Sequence, residues 1–211
     1  MIRRKPLMII GSGCHACVVA EAAVLMGYRE IYFYDPYIEK GYLRDYPIVK
    51  SLKKSDLNCQ VILGIAAREI RFRALKQALE LFDDRDFVEI RHPSSVVSSS
   101  ANIGRGCFLG ANSVVGPGAV LGENTIINSG AIVEHDVFVD SQVSFSPGAI
   151  ACGGARIGSY VDLYARSLVL PSVIISNNSI LGAGSVLMEN ALIPGLYLGT
   201  PAEMVRTNDE R

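Results

Sequence analysis

The chain holds three histidines, His15, His92 and His135, and His135 alone has carboxylates on both sides, in the triplet Glu134-His135-Asp136. An imidazole placed this way suits a general base, because an anionic neighbour stabilises the imidazolium and selects the tautomer. The plainer alternative is a solvated histidine in an acidic turn. The surrounding stretch carries small neutral side chains, so the triplet is the strongly ionisable cluster of the middle of the sequence. His92, directly before Pro93, reads as a linker residue.

A second candidate site lies near the start. The apolar run Leu7-Met8-Ile9-Ile10 ends in Gly11-x-Gly13-x-x-Ala16, and a later β-rich run, Ile31-Tyr32-Phe33-Tyr34, closes on Asp35-Pro36. A strand, a glycine turn, a helix and an acidic residue at the next strand end form the dinucleotide fingerprint. Backbone N–H groups at such a helix start can hold a pyrophosphate, and Asp35 can accept hydrogen bonds from a ribose or base. About ninety residues make only half of a doubly wound sheet, enough for one nucleotide. A tight turn without a ligand and a nicotinamide-dependent enzyme both remain open at this point. Cys14-His15-Ala16-Cys17 has metal-like spacing, but no second Cys/His pair completes a set, so no metal is expected.

These groups need scaffolds, and the sequence offers two. Aromatic and charged residues crowd the first ninety positions, whereas glycine, serine, alanine and β-branched residues dominate afterwards. The seam at Arg91-His92-Pro93-Ser94 divides a domain at 1–92 from one at 93–211. In the first, helices are expected from Ala16 to Met26, where the spacing of Val18, Val19, Ala22, Ala23 and Met26 suits a helix, and from about Arg68 to Leu81, with Ile70, Ala74, Leu75, Ala78 and Leu79 on one face. Further strands are expected at Val61–Ile65 and Phe87–Ile90. Alternation of strand and helix implies a small parallel α/β sheet. The stretch from Tyr37 to Tyr46 carries no readable pattern.

From Val97 the chain repeats every six residues through 186 without an insertion or deletion. First positions run Val97, Ile103, Leu109, Val115 and onward to Leu181, and thirteen of fifteen are Ile, Leu or Val. Fifth positions are Ala, Ser, Thr, Cys or Val. Fourth positions contain no Ile, Leu or Val and include six glycines, which fixes the phase. Six residues make one short strand plus a turn, and three units close a triangular coil of eighteen. Fifteen units therefore build five stacked coils, with third positions pointing outward. The tail after Leu187 leaves the phase and is expected to cap the array.

Composition closes off several classes. Lys and Arg number 20 against 21 Asp and Glu, a net charge of -1, which leaves no electrostatic footprint for nucleic acid. No apolar run approaches the roughly 18 residues of a membrane span. The basic start Met1-Ile2-Arg3-Arg4-Lys5-Pro6 leads into a strand and glycine turn rather than a signal peptide. Five scattered cysteines suggest no disulfide framework, and the chain reads as soluble and cytoplasmic.

The hexapeptide pattern resembles that of acyltransferases built on a left-handed parallel β-helix. The whole chain is similar to sugar O/N-acyltransferases of the sialic acid O-acetyltransferase and UDP-4-amino-sugar N-acetyltransferase type. In these a Rossmann-like half domain precedes the helix. The markers are Ile9-Ile10-Gly11-Ser12-Gly13-Cys14-His15-Ala16-Cys17-Val18-Val19, His92-Pro93-Ser94-Ser95-Val96-Val97, the stretch from Asn128 to His135-Asp136, and Gly199-Thr200-Pro201-Ala202.

The resemblance implies direct transfer of an acetyl or other acyl group from acyl-CoA to an amino or hydroxyl group of a nucleotide sugar, in bacterial-type surface glycan biosynthesis. It implies a homotrimer with active sites between protomers. His135 would deprotonate the acceptor, Asp136 (with Glu134 as the alternative) would strengthen it as a base, and Asn128 would position the acceptor. Gly13, Cys14, His15, Asp35 and Pro36 would line the nucleotide-sugar site. Gly153 would offer a backbone N–H to the thioester carbonyl, Ala165 and Ala183 would flank the pantetheine arm, and Arg206 would meet the phosphates of coenzyme A. Three positions depart from the pattern: Cys14 stands where Gly is common, Cys17 where Lys is common, and Ser144 where the amino-sugar enzymes carry a second histidine on the donor side. A non-catalytic, sugar-nucleotide-binding trimeric scaffold is the remaining alternative.

Overall fold

A computed structural model describes residues 4–52 and 54–207. The Met1-Ile2-Arg3 part of the basic start lies outside the described residues. The chain divides into two compact units, Met1–Pro93 and Ser94–Arg211. Among the described residues, no helix is long and apolar enough to cross a membrane.

The first unit is a five-stranded sheet with order β3-β4-β2-β1-β5, from β1 (Leu7–Ile10), β2 (Ile31–Tyr34), β3 (Tyr42–Leu43), β4 (Tyr46–Val49) and β5 (Gln60–Leu63). β1 sits between β2 and β5, parallel to both, and all four of its side chains are buried. A continuous apolar run with no alternation is what a strand covered on both faces requires. Helix α1 (Cys14–Leu25) follows β1, and α2 (Arg68–Ala78) follows β5.

Several boundaries differ from the sequence expectation. β5 stops at Leu63, and the next residue, Gly64, lies where a Cβ would come within 2.7 Å of Ala16 Cβ. Val88 donates its N–H to Val61 at 2.9 Å beside a single bridge between Val61 and Phe87, and the regular strand comes later, at Ile90–Arg91. The patternless stretch contains the β3–β4 hairpin, turning at Arg44 with φ 51°.

The helix faces also shift. Val18 is exposed on α1, and the buried set is Ala16, Val19, Ala20, Ala22 and Ala23. On α2, Ile70 and Leu79 are exposed, while Arg71 is buried with its guanidinium donating to the Ala66 carbonyl at 2.8 Å. Local hydrogen bonding lets a long cationic side chain take a place that apolar periodicity assigned elsewhere.

The second unit is a triangular parallel solenoid. Among the described residues it has sixteen two-residue strands, from Val96–Val97 to Val186–Leu187. A first face stacks Val97, Val115, Val133, Ala151, Val169 and Leu187. A second stacks Ile103, Leu121, Val139, Ile157 and Ile175. A third stacks Leu109, Ile127, Phe145, Leu163 and Leu181. Every pairing joins residues eighteen apart, the register that three six-residue units demand. These side chains and the small fifth-position residues form one core, in which each full burial of an aliphatic contributes about 1.5–3 kcal/mol.

The fourth positions make the corners. All except Ser100 have positive φ, between 53° and 71°, with Gly at 106, 118, 130, 148, 154 and 184 and Asn, Asp, Gln, Tyr, Arg or Ser elsewhere. Branched aliphatics are absent there because left-handed backbone crowds a branched Cβ. The tail turns back as an antiparallel hairpin, Gly195–Gly199 with Ala202–Thr207, and its first strand pairs with Ile180–Leu181. Tyr197 closes the core there, its hydroxyl donating to the Ile193 carbonyl at 2.7 Å.

Candidate functional site

In the first unit, Gly13, Cys14, His15, Asp35 and Pro36 line one cavity of about 490 Å³. The opposite wall comes from the turn after β5 and from α2: Gly64, Ile65, Ala66, Ala67, Ile70, Arg73, Ala74 and Gln77. The sequence reading missed this wall because it carried β5 through Ile65. The available signal was a second strand–Gly–helix passage, Leu63-Gly64-Ile65, repeating the one at Ile10-Gly11-Ser12.

Both helices that begin at this cavity lack a side-chain cap. Gly13 caps α1 and Ala67 caps α2, and neither residue has a side chain that can cap. A helix start carries the positive end of the helix dipole, so two such starts at one cavity favour an anionic ligand. Asp35 plays a more structural part than its sequence position suggested. Its Oδ2 accepts the Ser12 N–H at 3.1 Å and the Ser12 hydroxyl at 2.7 Å, and Oδ1 accepts the Tyr37 N–H at 3.1 Å. The carboxylate latches the two loops that carry the rim, and only its remaining lone pairs face a ligand.

His15 is held neutral. Burial, and then the positive charge of Arg71, push its pKa from 6.5 down to about 4. Unfolded, this imidazole takes a proton below pH ~6.5; folded, it does so only below about 4. Its contribution to stability is therefore complete above the unfolded value, is lost as pH falls through that window, and levels off below it. The loss is expected to be about 2–3 kcal/mol by pH 4.5 and to level off a little above 3. Urea midpoints at pH 7.0 and 4.5 should show it, and His15→Asn should remove that part of the pH slope.

In the second unit His135 stands on the turn between a first-face strand, Ile132–Val133, and a second-face strand, Phe138–Val139. Its Nδ1 lies 3.0 Å from Asp136 Oδ2, with side-chain exposures of 62% and 74%. Asp136 is a corner residue with φ 58°, and this bend folds its short side chain back onto the ring. Nδ1 donating to the carboxylate leaves the Nε2 lone pair outward as the basic site. Of the two flanking acids the partner of the ring is Asp136. Glu134 lies below Cys152, whose thiol is pushed up by burial and then by the charge of Glu134.

Gly153 stands one coil above His135, eighteen residues on. A Cβ at Gly153 would come within 2.5 Å of His135 Nε2 and 2.6 Å of Cε1. The bare glycine thus leaves room for the imidazole ring itself, whose Nε2–Cε1 edge rests where a side chain would stand. Repeat arithmetic alone could have paired these two residues.

The other residues lie apart from His135 within one chain. Asn128 sits on the turn from third to first face, its Oδ1 accepting the Ser129 N–H at 2.8 Å. Ala165 and Ala183 are exposed on that same edge, one coil apart, in a column with Ala111, Ser129 and Pro147. This strip of small side chains leaves room for a slender chain such as a pantetheine arm. Ser144 is nearly buried in a third-face strand, and Arg206 is exposed on the terminal hairpin. Among the described residues, no three His, Cys, Asp or Glu side chains converge as metal ligands.

Comparison with known proteins sharpens this arrangement. Residues 6–78 match the PglD N-terminal domain, and residues 100–135 match the bacterial transferase hexapeptide repeat. Such repeats wind to the left, which makes the solenoid a left-handed parallel β-helix. The acetyltransferase domain of PglB from Neisseria gonorrhoeae is 30% identical, with a TM-score of 0.87 over 96% of this chain and 100% of that one, and one of its structures holds acetyl coenzyme A. A histidine-to-alanine mutant of GDP-perosamine N-acetyltransferase from Caulobacter crescentus, in complex with CoA and GDP-perosamine, is 27% identical with a TM-score of 0.84 over 95% of this chain and 97% of that one. WeeI from Acinetobacter baumannii, 17% identical with a TM-score of 0.69, covers 95% of this chain and 99% of its own and shares the fold.

Proposed function

This chain belongs to the hexapeptide-repeat sugar acetyltransferases with a PglD-type N-terminal domain, and from that premise we propose that it acetylates an amino or hydroxyl group of a nucleotide-linked sugar, with His135 as general base. The observation that carries the reading is the His135–Asp136 contact at 3.0 Å, on a ring seated against the bare backbone of Gly153.

The cavity of the first unit takes the nucleotide, its diphosphate set against the two uncapped helix starts. Nε2 of His135 accepts the proton of the attacking amine or hydroxyl, and Asp136 stabilises the imidazolium that results. The thioester supplies the activated acyl group, and the N–H of Gly153 is the donor assigned to its carbonyl oxygen. The small-residue column through Ala165 and Ala183 accommodates the pantetheine arm, and Arg206 meets the phosphates. Asn128 orients the acceptor. Holding both reactants at one place supplies the orientational part of the rate, so no covalent nucleophile is required.

His135 and Asn128 occupy different edges of a single column, which fits a site shared between protomers. A ladder of outward aliphatics on the first face, Val96, Val114, Ile132, Ile150, Leu168 and Val186, gives each column an apolar side to pack against another. We assign a homotrimer on that basis, and a place in surface glycan biosynthesis from the substrate class. The test is thiol release from acetyl-CoA with a panel of UDP- and GDP-linked amino sugars. Turnover with at least one of them is expected, and no acceptor-dependent release across the panel would refute the proposal.

A further inference from the structure

We propose that Cys14 and Cys17 form an oxidisable dithiol on the rim of the first-unit cavity, and that their disulfide weakens nucleotide binding there. The inference rests on the reading of that cavity as the nucleotide site. The two cysteines are three residues apart in the first turn of α1. The helix start is closed by the Ala16 N–H donating to the Gly13 carbonyl at 3.0 Å, and residues three apart on a helix are neighbours on its surface. Helical pitch and radius put their Cα atoms about 5 Å apart, inside the disulfide window of about 4.4–6.8 Å.

Accessibility points to the same pair. Cys14 is exposed and lines the cavity, and Cys17 is half-buried behind it. The remaining thiols are withdrawn. Cys59 is buried and pushed up to about 11 by that burial, Cys107 is buried with Sγ on the Gly122 carbonyl at 3.2 Å, and Cys152 is pushed up by burial and by Glu134.

The oxidant is a low-molecular-weight disulfide of the glutathione class. Cys14 sulfur attacks one of its sulfurs, forming a mixed disulfide and releasing one thiol. Cys17 sulfur then attacks Cys14 sulfur and releases the second. Two cysteine thiols are oxidised, one disulfide is reduced to two thiols, and the two cysteine protons end on the released thiols. Closure turns the Cys14 side chain off the cavity wall and stiffens the helix start that faces the ligand.

The experiment uses the full chain, reduced and then treated with glutathione disulfide, with peptide mapping by mass spectrometry and calorimetric titration of UDP and GDP. A linked Cys14–Cys17 peptide is expected, with nucleotide affinity down about tenfold and restored by dithiothreitol. Cys17→Ser should bind nucleotide like the reduced wild type, stop at a glutathione adduct on Cys14, and form no internal link. Both cysteines mapping as free thiols after treatment would overturn the proposal. So would an oxidised chain that binds as tightly as the reduced one, and that result would leave the cavity assignment standing. A reduced chain that binds neither nucleotide would overturn the cavity assignment and the gating with it.

Discussion

Replacing His135 with Ala should lower kcat by about 10²–10⁴-fold, the range of a positioned general base, while the protein stays folded. The side chain is 62% exposed and packs no core, so stability should change by no more than about 0.5 kcal/mol. Acetyl-CoA turnover followed by thiol release, with thermal melts on the same samples, separates the two effects. Because the base acts on the acceptor in the transition state, the loss should fall on kcat more than on KM. Asp136→Asn is the companion variant. Asn tolerates the φ of 58° that this corner imposes, so the solenoid should keep its stability while the ring loses its anionic partner. A smaller drop, about tenfold, is expected, since the nitrogen that accepts the proton remains. Near wild-type turnover in His135→Ala would sink the mechanism.

Gly153→Ala should be nearly as damaging as removing the histidine. The backbone of Gly153 lies outside the left-handed region, so alanine brings no conformational penalty of its own. The new methyl would instead stand within 2.5 Å of Nε2, and the imidazole has to swing aside, giving up its 3.0 Å contact with Asp136. Turnover should fall at least about a hundredfold, with stability changed by less than about 1 kcal/mol because the ring yields towards solvent. Imidazole nitrogen resonances report the displacement directly, as loss of the Nδ1–H···carboxylate signature. Activity comparable to wild type would show that seating the ring against Gly153 has no catalytic consequence.

The second unit was almost wholly legible because its architecture is a single register repeated. An aliphatic at every sixth position and a corner that refuses branched side chains leave one solution, and pairings eighteen apart from Val97 to Leu187 follow from it. The first unit was legible in its alternation and less so in its edges. Apolar periodicity assigned Ile70 to the core, whereas Ile70 lines the cavity and Arg71 is buried through a hydrogen bond that periodicity does not encode. The β3–β4 hairpin escaped because its strands are short and its turn uses Arg44 in place of glycine.

The candidate catalytic residue was visible from composition, since His135 alone had acids beside it. Which of the two acids contacts the ring was not visible from the residues alone, where Asp136 stood first and Glu134 as the alternative. The choice of Asp136 over Glu134 depends on a backbone bend that the six-residue phase implies only once the corner conformation is known. The same phase separates Asn128 from His135, because the six residues between them lead to a different edge of the column.

The returning hairpin at Gly195–Thr207 has a bearing on assembly. A column of parallel rungs has no intrinsic length limit, because its topmost rung offers the same row of amide and carbonyl groups that each rung below has already used. A second column could dock there end to end, and a third upon it, giving a filament. By adding one more parallel rung on Ile180–Leu181, folding back on it in the opposite sense and setting Tyr197 over the interior, the tail covers this end of the third face and opposes such axial growth there.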